Sequence, residues 1–123
     1  MKVLLAFYGD ETRRAGRTRE DYQRVIDAWR AFEDATREAG VLISCEGLQT
    51  TPATTTITIE GGRRRIIDGP FMETKEQLGG YALLDVADLD EALAWAERTP
   101  WNHDGCTTEI RPIMDYAAAV AAS

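Results

Sequence analysis

The sequence predicts an α+β domain of the ferredoxin-like, split β-α-β type, and three observations predict it. Apolar runs of strand length alternate with two stretches of helical periodicity, in the order strand, long helix, a region of strands with a hairpin turn, strand, helix, strand. The length of 123 residues fits a single domain spanning residues 1–123, with 114–123 as a short C-terminal tail. The balance of 44% hydrophobic and 28% charged residues is that of a chain able to bury an ordinary core.

Val3 to Tyr8 is apolar on both alternating sets, the pattern of a strand covered on both faces. The polar segment from Gly9 to Arg17 reads as a loop. Thr18 and Asp21 then form a capping box with Asp in the place of the usual Glu. Tyr22, Val25, Ile26, Trp29, Phe32, Ala35 and Ala39 follow at spacings of three and four, with Thr36 as a mildly polar neighbour, and Gly40 ends the helix. If that stripe packs on the sheet, Trp29→Ala costs about 3 to 5 kcal/mol.

Val41 to Cys45 is a second strand, and Thr54 to Glu60, where Thr alternates with Ile57 and Ile59, a third. Gly61-Gly62 supplies a hairpin turn in which both residues can take positive φ, and Arg63 to Ile67 is the returning arm. Thr74 and Gln77 suggest one short helical turn, after which Gly79-Gly80 admits the strand Tyr81 to Val86. Asp88 and Glu91 cap a second helix whose stripe is Leu89, Ala92, Leu93 and Ala96, with Trp95 off the stripe and Pro100 as the stop. Thr107 to Ile113 is the last strand, and Tyr116 to Ala122 an Ala-rich helical tail.

In this architecture both helices cover one face of the sheet and leave the other to water. Here the other face is apolar as well: Leu4, Ala6 and Tyr8 back Val3, Leu5 and Phe7, while Tyr81 and Leu83 oppose Ala82, Leu84 and Val86. A second copy packed sheet on sheet is the simplest cover, so a homodimer is expected.

The net charge of -7 argues against direct nucleic-acid binding and against an anionic membrane surface. Arg13, Arg14, Arg17 and Arg19, and Arg63 to Arg65, read as solvated basic clusters. Cys45 and Cys106 do not make a disulfide framework and read as free thiols of a reducing compartment. The opening apolar run is too short for a leader core or a membrane span, so a cytoplasmic location is expected.

The segment from Asp68-Gly69-Pro70-Phe71 through Gly79-Gly80-Tyr81, followed by Asp85 to Ala92, resembles the DGPF branch of the YCII-related proteins. Tyr8-Gly9-Asp10-Glu11, Gly40-Val41-Leu42 leading to Glu46-Gly47-Leu48, and Glu109-Ile110-Arg111-Pro112 extend the resemblance over nearly the whole chain. The resemblance implies a dimeric α+β barrel with a pocket near the sheet and the dimer interface. It implies no settled activity: members are mostly uncharacterised bacterial proteins, often encoded beside extracytoplasmic-function sigma factors, and a distant branch includes a dehydrochlorinase acting on a chlorinated aromatic. The more enzyme-like members resemble one another in a first-helix His proposed to pair with an Asp. That place falls near Trp29 here, so the pair does not carry over, and Asp68 alone keeps the family's support.

Each candidate residue has a chemical and a structural reading. Asp68, before Gly69-Pro70, is placed to act as a general base if buried, or to accept backbone amides in a turn. Glu73 can share acid and base work with Asp68, or favour a helix start by its charge. His103, the only histidine, stands in the loop from Pro100 to Gly105 as a proton shuttle or as a surface residue. Tyr8, Trp29, Phe71, Glu73 and Tyr81 are the expected binding residues, with core or interface packing as the alternative for the aromatics. One His and two distant Cys give no zinc ligand set, and no phosphate loop or dinucleotide fingerprint is present, so neither metal nor cofactor is expected.

The function expected is therefore a dimer binding a small organic substrate, with lyase- or isomerase-like proton transfer by Asp68 as base and His103 as acid. The alternatives are a non-catalytic module docking on a sigma factor through the Arg13–Arg19 loop or an exposed Trp95, and a structural protein without chemistry.

Overall fold

In the computed structural model, which describes residues 1–103 and 105–123, the opening run is strand β1 (Lys2–Gly9), and it lies inside a sheet rather than at its edge. Helix α1 (Arg19–Glu38) follows, then β2 (Leu42–Gly47), the ribbon β3 (Thr55–Glu60) and β4 (Arg63–Asp68), and β5 (Gln77–Asp85). Helix α2 (Leu89–Glu97), β6 (Thr107–Pro112) and α3 (Tyr116–Ala122) complete the α+β chain. The four-stranded sheet runs β2-β5-β1-β6, antiparallel at every pairing. Each long helix thus leads from one strand to another that is not its neighbour: β5 lies between β1 and β2, and β1 between β5 and β6. That is the split order expected from the sequence.

Alternation along β1 and β5 sorts the core. Val3, Leu5 and Phe7, beside Ala82 and Leu84, are buried against Phe32, Ala92 and Trp95. Leu4, Tyr8, Tyr81 and Leu83 occupy the other face and are half-buried only by one another and their neighbours. Both helical caps form: Thr18 Oγ1 accepts from the Asp21 amide while Asp21 accepts from Thr18, and Asp88 accepts from the Glu91 amide. Thr36 is fully buried because its hydroxyl donates back to the Phe32 and Glu33 carbonyls and leaves no polar atom unsatisfied.

Three expectations are corrected. Trp95 is not exposed: at 9% exposure it packs edge-on to Phe32 at 6.3 Å, and Leu89 and Leu93 face water instead. The indole is the largest apolar surface that α2 carries, so the helix turns to bury it. No helical turn forms at Thr74–Gln77; the Gln77 side chain donates to the Met72 and Thr74 carbonyls, and its backbone opens β5 opposite Gly9. Gly79 and Gly80 consequently lie within the strand and not before it.

The turn Gly61-Gly62 has φ of 55° and 76°, the conformation that glycine adopts without strain. The ribbon it closes aligns Ile57, Ile59 and Ile66 on one face, each more than half exposed. No helix among the described residues is long and apolar enough to cross a membrane.

Candidate functional site

The stripe on α1 is longer than its contact with the sheet. Its C-terminal half buries Phe32 and Thr36, but Tyr22 and Ile26 stay over 40% exposed and Val25 and Trp29 half-buried. Beneath that overhanging half lies a cleft of about 970 Å³ at one end of the sheet. The end of β1, the end of β2, the start of β5 and the loop before β6 form its remaining walls.

A file of aromatic rings runs from the core to this cleft. Trp95 meets Phe32, Phe32 meets Trp29 at 5.9 Å, Trp29 meets Phe7 at 5.2 Å, and Phe7 meets Trp101 at 6.0 Å. Trp101 is fixed twice. Its indole N–H donates to the Tyr8 carbonyl at 2.9 Å, and its ring lies against Gly9 and Gly79, where a Cβ would stand 3.0 Å and 2.8 Å from ring atoms. Gly80 serves the neighbouring strand similarly, since a Cβ there would meet the Glu46 carbonyl at 2.7 Å.

Arginines line one side. Arg13, Arg14 and Arg17 come from the β1–α1 connection; Arg13 donates to Cys106 Sγ, Arg14 to the Leu48 carbonyl at 3.2 Å, and Arg17 lies 5.8 Å from the Tyr22 ring. On the β2 side the Cys45 thiol is pushed up to about 11, first by burial and then by the Glu33 and Glu46 carboxylates. Cys45 and Cys106 form no disulfide; Cys45 lies in edge strand β2 and Cys106 just before the opposite edge strand β6.

His103 is exposed on the rim of this cleft, its backbone N–H donating to the Trp101 carbonyl. Asp104 of the same loop lies outside the described residues. Asp68 stands elsewhere, in a second cleft of about 680 Å³ that also holds Glu73 and Lys75. The two clefts adjoin, sharing Asp10, Glu11 and Gln77. Asp10 is held below the usual carboxylate range by the Thr12 hydroxyl and amide, and Glu11 accepts from the Thr51 amide and hydroxyl.

The structure therefore gathers Trp29 and His103 in one cleft, Asp68 and Glu73 in the other, and does not bring Asp68 and His103 into a single site. Asp68 does not take the turn role that its sequence context suggests, because the Gly69 amide donates to the Thr54 carbonyl. Glu73 precedes no helix. Tyr8 and Tyr81 belong to the uncovered face of the sheet, and Phe71, 77% exposed, lines neither cleft. Trp101, Arg14 and the glycines under Trp101 were not singled out by sequence as site residues. A tryptophan inside a polar loop, and an apolar stripe longer than a six-residue strand can cover, are the signals that point to them. Among the described residues no group of three or more His, Cys, Asp or Glu could hold a metal ion.

A family model described as the YCII-related domain matches residues 1–117. The chain is also 37% identical over 117 residues to an uncharacterised protein of Rhizobium meliloti (strain 1021), covering 94% of each chain.

Proposed function

We propose that this chain, which belongs to the YCII-related domain family, binds a small organic molecule in the larger cleft. The observation that carries this reading is the aromatic file ending at Trp101: apolar surface that the fold leaves accessible at the bottom of a concave site instead of burying. Proton transfer of a lyase or isomerase kind falls to His103 on the rim, with Asp68 taking part when a ligand spans the saddle of Asp10, Glu11 and Gln77. The uncovered sheet face supports a homodimer, and the two free thiols support a reducing, cytoplasmic setting. The sigma-factor reading loses Trp95 as its docking residue and keeps only the arginine loop, most of which faces the cleft.

A fragment screen followed by amide and indole NMR shifts tests the binding reading. Binders are expected to move the Trp101 indole N–H and the Gly79 and Gly80 amides, and Trp101→Ala to abolish the response while the core signals stay in place. A screen whose binders all leave these signals still removes the proposal. Activity, once a turned-over compound is found, is expected to fall by about 10²-fold or more in His103→Ala.

A further inference from the structure

We infer that the ligand of the larger cleft is a flat molecule with a negative charge at one end, an arene carboxylate in its simplest form. The inference deepens the binding reading above and rests on it. Three features of the cleft act together. First, the floor offers a flat ring face: the Trp101 indole is laid along the sheet by the bare backbones of Gly9 and Gly79, Phe7 adjoins it at a 40° tilt, and Trp29 adjoins Phe7. A ring has stacking partners there that a branched aliphatic chain cannot use as well.

Second, the cationic groups are beside that floor. A Cβ on Gly79 would stand 3.3 Å from Arg14 Nη2, so the guanidinium reaches the same patch of strand as the indole. Arg14 uses one N–H on the Leu48 carbonyl, and its planar fork has further donors of the kind that match a carboxylate. Arg17, held over the Tyr22 ring, lines the same side.

Third, among the described residues the carboxylates near these arginines are held first by hydrogen bonds to other groups, with Arg13 acting on Asp10 and Arg17 on Asp21 only as weaker influences, and Arg14 not among those that act on either. Asp10 is taken by Thr12, Glu11 by Thr51, and Asp21 by the Thr18 amide and Arg24. The remaining two, Glu33 and Glu46, act on Cys45 at the β2 side. The cleft is thus cationic at the β1–α1 connection and acidic across from it, in a chain whose net charge is -7. A ligand with one negative end has a single favoured orientation, ring on the indoles and charge toward Arg14 and Arg17.

Three probes sharing one ring decide the matter: 2-naphthoate, 2-naphthylmethanol and 2-naphthylmethylammonium, titrated calorimetrically into the full chain with NMR shifts locating each. Naphthoate is expected to bind at least about tenfold more tightly than the alcohol, and the ammonium more weakly still. Arg14→Gln with Arg17→Gln should bring naphthoate and the alcohol within about twofold, and Arg14→Lys should restore part of the preference. Equal binding of all three in the cleft would overturn the inference and leave the binding reading standing. A naphthoate preference indifferent to both arginines would overturn it too. If no probe moves the Trp101 indole signal, the binding reading falls with it.

Discussion

Cys45 shows how much the surroundings of one side chain decide. It sits half-buried beneath α1, and burial with two nearby carboxylates raises its thiol to about 11, so near neutrality it is a neutral, apolar part of the cleft wall. In a Cys106→Ser variant, the iodoacetamide alkylation rate is expected to rise with pH toward a midpoint near 11; a midpoint in the ordinary thiol range would show a wetter wall than described. The same shift fixes a sign for stability. The folded chain holds the proton to higher pH than the unfolded one, so the thiol's contribution declines between the ordinary value of 9.0 and about 11. Little of this was legible in the sequence: Glu46 is next to Cys45 in the chain, but the burial and the Glu33 carboxylate arrive only when α1 folds onto β2. Trp101 escaped for a comparable reason: its platform is made of Gly9 and Gly79, remote from it in the chain and noticeable only for what they lack. Asp68 and His103 were legible as residue types, but the loop and the ribbon that carry them open into different clefts.

At the scale of elements, patterns were read more reliably than depths. The Thr18 capping box, the Gly61-Gly62 turn and the alternation of β1 all appear where the sequence puts them. Those signals are local, fixed by backbone geometry within a few residues. Which turn of a stripe meets the sheet is not local. Trp29, half-buried, packs on the core from its rim, while Phe32 and Trp95 lie inside it. Trp95→Ala is expected to lower unfolding stability by about 3 to 5 kcal/mol, against less than about 0.5 kcal/mol for Leu93→Lys on the wet side of the same helix. Urea denaturation followed by circular dichroism measures both, and comparable losses would place the wrong face of α2 on the core. The stripe on α1 serves two purposes in succession, packing from Phe32 onward and roofing the cleft before it.

For the whole molecule, the question is what meets the uncovered side of the sheet. Leu4, Tyr8, Tyr81 and Leu83 form a half-exposed apolar field, and the Ile57, Ile59 and Ile66 face of the ribbon is more exposed still. A second copy would remove roughly 25 cal/mol of unfavourable exposure for each Å² of apolar surface covered. Sedimentation equilibrium is expected to give the mass of two chains, and Leu83→Glu that of one with its far-ultraviolet spectrum unchanged. A wild-type particle of 13.7 kDa would end the homodimer proposal.

The interior position of β1 carries a consequence for biosynthesis. Strand β1 leaves the ribosome before its partners, and among the described residues its ladders are to β5 and β6, so one edge of residues 3–8 waits for residues 77–85 and the other for residues 107–112. Throughout that interval Val-Leu-Leu-Ala-Phe-Tyr is an unprotected, uncharged, β-prone hexapeptide, the kind of segment that adheres to other nascent chains. Pairing so remote in sequence also slows closure of the sheet, since the intervening loop must be gathered in before any contact rewards it. A cell making this protein quickly would draw on its holdases as soon as β1 emerges, and release would depend on β6.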